Sequence, residues 1–211
     1  MSPIHDPALA HLRKSCPSMK ALIRRIGPCL METHGTRSPF QSLVSAVAHQ
    51  QLNGKAAATI LGRFQNLFPR GRFPTAKSLA MVSDEQLRGV GFSRAKAAAI
   101  RDIAEKSLSG IVPGSKAIAL LSDEEIIARL TQVRGVGRWT VEMLLMFTLG
   151  RPDVWPVDDY GVRTGYKIAY GLPELPSPKE LHGLGERFRP FRSVAAWYLW
   201  RATDTNRSPE D

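Results

Sequence analysis

The feature that most constrains this chain is a pair of closely spaced glycines, Gly135 and Gly137, between two segments with helical patterns. The segment before them opens with a capping box at Ser122–Glu125, followed by apolar residues at helical spacing. The segment after them starts near Arg138 and is apolar on nearly every side. Because glycine has no Cβ atom to hinder a tight turn, this pattern predicts two helices joined by a short hairpin.

The peptide at this turn, Arg134-Gly135-Val136-Gly137-Arg138, suits a bound anion. The first amides of a helix have no acceptor within it, and the helix dipole adds partial positive charge there. No Val/Ile-rich strand precedes the glycines and no Gly-Lys-Ser/Thr follows them, which argues against a nucleotide-binding loop and leaves an ordinary tight turn as the alternative. The chain has 29 Lys plus Arg against 19 Asp plus Glu, a net charge of +10, so a nucleic-acid phosphate is the favoured anion.

The tetrapeptide Arg-Gly-Val-Gly occurs a second time, at residues 88–91, after another capping box at Ser83–Gln86. In this copy two more residues precede the next helix, which Ser93 can cap. Its amides therefore need not converge as they do in the other copy. We interpret residues 83–109 as a structural relative of the hairpin rather than a second phosphate site.

Helical signals dominate the remaining sequence, and alternating β patterns are hard to find. A third capping box at Ser38–Gln41 and a buried-helix pattern at residues 193–202 are examples, and the chain is predicted to be all-α with about ten short helices. The one long irregular stretch, residues 151–158, carries two prolines and leads into Asp158 and Asp159. A structureless connection inside a compact domain is often functional.

Composition argues against several other classes of protein. Cys16 and Cys29 are the only cysteines, and no Cys-x-x-Cys or histidine cluster accompanies them. We therefore expect no metal site or iron–sulfur cluster at the cysteines, and no disulfide framework. No run of about eighteen apolar residues indicates a membrane span, and the segment from Met1 to Asp6 is unlike a secretory signal. We therefore expect a cytoplasmic protein with a disordered tail at residues 205–211.

Together these segments resemble the helix-hairpin-helix (HhH-GPD) DNA glycosylases of base excision repair, and most closely the DNA-3-methyladenine glycosylase II branch. The resemblance covers nearly the whole chain, and its most specific segments are residues 39–52, 89–96, 134–140, 149–160 and 189–201. It implies one glycosylase domain over residues 1–211, with two helical lobes and a cleft between them. The middle lobe would span about 37–150 with the hairpin at 122–150, the second lobe would combine 1–36 with 151–204, and no additional N-terminal β-domain is expected.

The resemblance implies a reaction, hydrolysis of the bond between deoxyribose and a damaged base. Departure of the base builds positive charge on the sugar, which a carboxylate beneath it stabilises. Asp159, directly before Tyr160, stands where the family has its essential aspartate. Asp158 is the competing candidate, and its alternative role is to cap the helix that begins near Tyr160.

The resemblance also implies a pocket and a wedge. Trp139 is expected to form a wall that attracts a flipped cationic base, with Tyr160 and Phe40 as further walls, whereas Trp197 and Trp200 are assigned to the core. Gln51 is the expected wedge in the gap left by the flipped nucleotide, with Gln50 contacting the orphaned base. The alternatives are core packing for the aromatic residues and simple helix termination for the two glutamines.

At the hairpin, the resemblance implies DNA contacts by Arg134, Gly135, Val136, Gly137, Arg138 and Thr140. It also implies a structural Na⁺ or K⁺ bound by the backbone carbonyls of Thr131, Val133 and Val136. Related enzymes that also cut the strand carry a lysine where this chain has Trp139, so no lyase activity is expected.

The expected function is a monomeric, monofunctional glycosylase that flips alkylated purines out of double-stranded DNA, with no required cofactor and no membrane partner. The sequence leaves two alternatives open: a non-catalytic helix-hairpin-helix DNA-binding module, and a glycosylase for a different lesion.

Overall fold

The computed structural model describes residues 5–35 and 37–204, and within them all regular structure is helical, with no β-strand. This confirms the all-α prediction. The predicted tail at residues 205–211 and the first four residues of the chain lie outside the described part. The α-helices are α1 (His5–Ser15), α2 (Pro17–Ile26), α3 (Pro39–His49), α4 (Gly54–Gln65), α5 (Ala76–Ala80), α6 (Asp84–Gly89), α7 (Arg94–Leu108), α8 (Ser115–Ile118), α9 (Asp123–Leu130), α10 (Arg138–Phe147), α11 (Tyr160–Tyr170), α12 (Pro178–Leu184) and α13 (Arg192–Asp204).

Local capping determines where many of these helices begin. Ser38, Ser83 and Ser122 each accept a hydrogen bond from the amide three residues ahead, and the Gln or Glu at that position accepts one from the serine amide, as predicted. Ser93 caps α7 by accepting the amide of Lys96. These bonds satisfy amides that otherwise have no partner at a helix start.

The described residues form two compact units, one joining the segment up to Thr33 with the segment from Gly150, and the other spanning His34–Leu149. In the first unit α13 packs against α2 and α11. Helices α11 and α13 approach so closely that a side chain at Gly165 would collide with the backbone of Leu199. In the second unit α7 packs against α3 and α5, and α10 packs against α3 and α9.

Residues 151–158 are irregular, as predicted, but polar contacts to the start of α13 fix them. The Ser193 hydroxyl donates to the carbonyl of Arg151 at 2.7 Å. Arg192 forms a salt bridge with Asp153, with 2.8 Å between Nε and Oδ1. The chain that leads into α11 is therefore held in place without regular structure. In the described part of the chain, no helix combines the length and apolar character needed to cross a membrane.

Candidate functional site

A cavity of about 650 Å³ lies within the unit formed by residues 34–149. Its volume falls within the range of small-molecule binding sites. The predicted site residues among its lining are Gln50, Gln51, Gly135, Trp139 and Thr140. The structure thus brings the wedge, hairpin and pocket-wall candidates of this unit together at one cavity.

Trp139, in the first turn of α10, is 46% exposed although it is a large aromatic residue. A tryptophan that packed a core would bury most of its surface. Its exposure at the cavity therefore favours the predicted wall over the core alternative.

The other two predicted walls differ from Trp139 and from each other. Phe40 packs edge-to-face on Phe73, with 6.2 Å between the ring centroids, and Phe73 in turn packs on Phe64. This aromatic cluster favours core packing for Phe40, which is not among the described residues that line the cavity. Tyr160 lies in the other unit, at the first position of α11, and is 71% exposed.

The loop between α3 and α4, residues 50–53, carries the wedge candidates and is called the wedge loop below. Gln51 is exposed and adopts the left-handed conformation, with φ 56°, which is uncommon for a residue other than glycine. Such strain tends to occur at functional sites. The Gln50 side chain donates from Nε2 to the carbonyl of Gly135 at 2.9 Å, so it ties this loop to the hairpin, a contact that the sequence did not predict.

The hairpin has the predicted form of helix, glycine turn and helix. Gly135 adopts a positive φ of 75°, and Gly137 is the N-cap of α10 without any side-chain cap. Within the described residues, no acceptor receives the amides of Gly137 and Arg138. The Val136 amide, also predicted to contact DNA, instead donates to the carbonyl of Val133 at 3.1 Å.

The side chains predicted to contact DNA differ in their burial and in their partners. Arg138 is paired with two carboxylates, Glu124 at 2.8 Å and the buried Glu142 at 3.1 Å, so its charge is already compensated. Its hydrogen bond with Glu124 raises the pKa of Arg138 above the ordinary value. Arg134 is exposed, whereas Thr140 is buried and lines the cavity.

The three carbonyls predicted to hold a monovalent cation occupy the same turn. Within the described residues, those of Thr131 and Val136 accept no hydrogen bond, and that of Val133 accepts only the Val136 amide. Oxygen atoms are the ligands that hard cations prefer, so this donor set fits the ion.

Asp159 is the N-cap of α11, in the unit that contains residues 150–204. Its Oδ1 accepts two hydrogen bonds, from the Val162 amide at 2.7 Å and from the indole Nε1 of Trp200 at 2.8 Å. The alternative role of Asp158 as the cap of this helix is wrong, because the cap is Asp159 and Asp158 is exposed. Sequence patterns place a cap only to within about a residue or two, so two adjacent aspartates could not be distinguished.

Trp200 was wrongly assigned to the core. It is only partly buried, and its indole lies against Gly161, where an added Cβ would be 2.8 Å from Trp200 Cδ1 and 3.1 Å from Asp159 Oδ1. Gly161 therefore has to be glycine for the indole to reach the carboxylate. The sequence gives no local signal for this contact, because the two partners are 41 residues apart.

Comparisons with known proteins found two similar chains from one organism. DNA-3-methyladenine glycosylase 1 of Schizosaccharomyces pombe is 44% identical over 167 residues, which cover 79% of this chain and 73% of that protein. The alkylbase DNA glycosidase-like protein mag2 of the same organism is 33% identical, with 93% of each chain covered.

Two solved structures are also similar. The S. pombe 3-methyladenine DNA glycosylase Mag1 in complex with abasic DNA gives a TM-score of 0.83 at 40% identity, covering 94% of this chain and 97% of that one. DNA-3-methyladenine glycosidase from Bacillus halodurans gives a TM-score of 0.86 at 36% identity, covering 95% and 90%. The family model described as HhH-GPD superfamily base excision DNA repair protein matches residues 44–190, which include the hairpin, the cavity lining and Asp159. This chain belongs to the HhH-GPD superfamily of base excision DNA repair proteins.

Proposed function

We propose that this protein is a monofunctional DNA glycosylase that removes alkylated purines of the 3-methyladenine type from duplex DNA. The observation that carries the proposal is the Asp159 carboxylate, oriented at the start of α11 by the Val162 amide and the Trp200 indole. The family supports DNA repair, and the names of the relatives support the substrate class.

The reaction breaks the bond between the sugar C1′ and the base nitrogen, and the base leaves with the bonding electrons. The sugar then resembles an oxocarbenium ion, whose positive charge a nearby carboxylate stabilises. Water adds at C1′ and loses a proton, for which Asp159 is the proposed acceptor. An abasic site and the free base are the products. An alkylated purine that carries a positive charge leaves without needing a strong acid.

Selection of the base is assigned to the cavity wall. The exposed face of Trp139 offers stacking and a cation–π interaction, which favour a positively charged flipped base over a neutral one. A Schiff-base mechanism would need an amine at this position, and tryptophan cannot supply one.

The hairpin is proposed to contact the DNA backbone. The wedge loop is proposed to fill the gap that the flipped nucleotide leaves in the base stack. The amides of Gly137 and Arg138 suit a phosphate, and the Thr131, Val133 and Val136 carbonyls would hold a Na⁺ or K⁺ that shields it. Gln51, held in a strained conformation on an exposed loop, suits insertion into the stack. The protein is proposed to act as a monomer on chromosomal DNA in the cytoplasm.

Changing Asp159 to Asn tests the catalytic role, with Asp158→Asn as the matched control. Asp159→Asn keeps the capping geometry but removes the charge, so we expect base release to fall by about 100-fold or more while DNA binding is retained. The control should release base within about twofold of the wild type, since Asp158 is exposed. Both rates are measured as alkali-labile sites under single turnover, with DNA affinity measured separately. Equal losses in the two variants would contradict the assignment to Asp159.

A panel of duplexes carrying 3-methyladenine, 7-methylguanine, ethenoadenine or hypoxanthine tests the lesion class. We expect release of the cationic bases first, because of the wall formed by Trp139. Strand scission without heat or alkali would contradict the monofunctional assignment.

A further inference from the structure

An acidic side chain lies directly against the hairpin. Asp102, in the middle of α7, accepts the backbone amide of Arg134 at 2.6 Å. The same carboxylate is bound by the ammonium group of Lys106, one turn further along α7, at 2.7 and 2.8 Å. Both side chains are largely buried, with 20% of Asp102 and 23% of Lys106 exposed.

A negative charge beside a phosphate site needs an explanation, because like charges repel most where water is scarce. The Lys106 ammonium removes this difficulty by compensating the carboxylate at direct contact. The Asp102–Lys106 pair therefore reduces the electrostatic attraction between the hairpin and DNA only slightly. It supplies a strong acceptor for one peptide amide of the turn, since hydrogen bonds to a charged group are stronger than neutral ones.

Two further contacts clamp the residue after Arg134. The Gly135 Cα faces Ala99 of α7, where an added Cβ would be 3.4 Å from the Ala99 Cβ. The Gly135 carbonyl accepts the side chain of Gln50. The turn is thus fixed on one side by α7 and on the other by the wedge loop, while the amides of Gly137 and Arg138 remain unbound within the described residues.

We propose that Asp102 is a positioning residue for DNA binding, which holds the hairpin in its phosphate-binding conformation while Lys106 cancels its charge. This role rests on the proposed function of the hairpin as the phosphate contact. A turn that is ordered before binding loses less entropy when the phosphate arrives, so the benefit appears as DNA affinity. Asp102 does not touch the reacting atoms.

The ionisation of the carboxylate is consistent with this role. Partial burial raises the pKa of Asp102, but the hydrogen bond from the Arg134 amide and the ammonium of Lys106 lower it by more, and the net pKa lies below the ordinary range of aspartate.

Four variants test the proposal by their affinity for a duplex with one reduced abasic site: Asp102→Ala, Asp102→Asn, Lys106→Met and the double variant Asp102→Asn/Lys106→Met. Asp102→Ala should bind about tenfold more weakly, which corresponds to about 1.4 kcal/mol. Asp102→Asn should bind within about twofold of the wild type, because the amide oxygen still accepts the Arg134 amide. Charge alone would make both variants bind more tightly, as each removes a negative charge near DNA.

Lys106→Met leaves the negative charge of Asp102 uncompensated, so it should weaken DNA binding about fivefold in the wild-type background. In the Asp102→Asn background that charge is absent, so the same change should not weaken binding. The control is Asp84→Asn, which removes the charge of an exposed aspartate in α6 that pairs with Arg101 of α7, and it should leave affinity within about twofold. For Asp102→Ala, base release should show a raised KM with kcat nearly unchanged, which a loss of folding would not produce.

Equal affinities for Asp102→Ala and Asp102→Asn would overturn the proposal. If Asp102→Ala does not fold, the effect of Lys106→Met in the wild-type and Asp102→Asn backgrounds decides. An equal loss of DNA affinity in the two backgrounds also overturns the proposal. Gly135→Ala separates this proposal from the function of the hairpin. If Gly135→Ala binds as well as the wild type, the hairpin is not the phosphate contact; if it binds weakly while Asp102→Ala does not, only the role of Asp102 fails.

Discussion

The two copies of Arg-Gly-Val-Gly, at residues 88–91 and 134–137, have the same letters but different structures. In the first copy, Arg88 and Gly89 are the last residues of α6, and Gly91 is the residue with positive φ, 113°. In the second copy, α9 has already ended at Leu130, and the residue with positive φ is Gly135. The turn therefore falls on a different glycine in each copy.

The starts of the following helices also differ. Helix α7 begins after Ser93, whose hydroxyl accepts the Lys96 amide. Helix α10 begins after Gly137, which has no side chain to do so. The register between the tetrapeptide and its helices therefore determines whether helix-start amides are available to an outside anion. The tetrapeptide itself does not determine it.

Replacing the turn glycines should give the largest contrast. Gly135→Ala puts a side chain on a left-handed residue at the proposed phosphate contact, so we expect DNA affinity to fall about tenfold or more. Gly91→Ala places a Cβ 3.0 Å from Ile60 Cγ1, which should lower the free energy of unfolding by about 1–2 kcal/mol and leave affinity unchanged. Binding titrations and thermal unfolding of both variants check this; a loss of affinity in Gly91→Ala would show that the first copy also contacts DNA.

Exchanging the caps should convert one copy toward the other. Gly137 has an ordinary φ of −92° and open space around its Cα, so Gly137→Ser can supply the missing cap. We expect the free energy of unfolding to rise by about 0.5 kcal/mol and DNA affinity to fall about threefold, because the serine competes with the phosphate for the same amides. Ser93→Gly should cost only a few tenths of a kcal/mol and no affinity. Unchanged affinity in Gly137→Ser would mean that these amides do not bind phosphate.

The two arginines provide a smaller contrast in salt dependence. Arg134→Ala should reduce the slope of log K against log salt concentration by about 0.9, the value for one lost phosphate contact. Arg88→Ala should leave the slope unchanged, although both side chains are exposed. Affinities at four or more salt concentrations measure both slopes, and equal slopes for the two variants would remove the distinction between the copies.

The smallest expected effect concerns pH, since only the second copy is tied to the carboxylate of Asp102. A pKa that is lowered on folding stabilises the native state above the ordinary aspartate pKa of about 3.9, and this stabilisation is lost as the pH falls through the lowered native value. The wild type should thus exceed Asp102→Asn in free energy of unfolding at pH 7, and the difference should shrink below about pH 4. Urea unfolding of both proteins at pH 7, 4 and 3 tests this, and a constant difference would contradict it.

What could be predicted from the sequence was mostly local. Capping boxes and the glycine turn lie within a few residues of the helix ends that they mark, so their patterns identified those helices correctly. The capping boxes are at Ser38, Ser83 and Ser122. The contacts that position the site span long separations, as with Asp102 and Arg134, 32 residues apart. Pairing across that distance depends on tertiary packing, which no spacing rule encodes.

Two donors to Asp159 Oδ1, the peptide N–H of Val162 and the indole N–H of Trp200, are electrically neutral, and neither titrates in the physiological range. A lysine or arginine in the place of Trp200 would also have aimed the carboxylate, but it would have cancelled the charge that a cationic sugar requires. These two hydrogen bonds therefore orient Asp159 without adding a positive charge of their own beside the carboxylate.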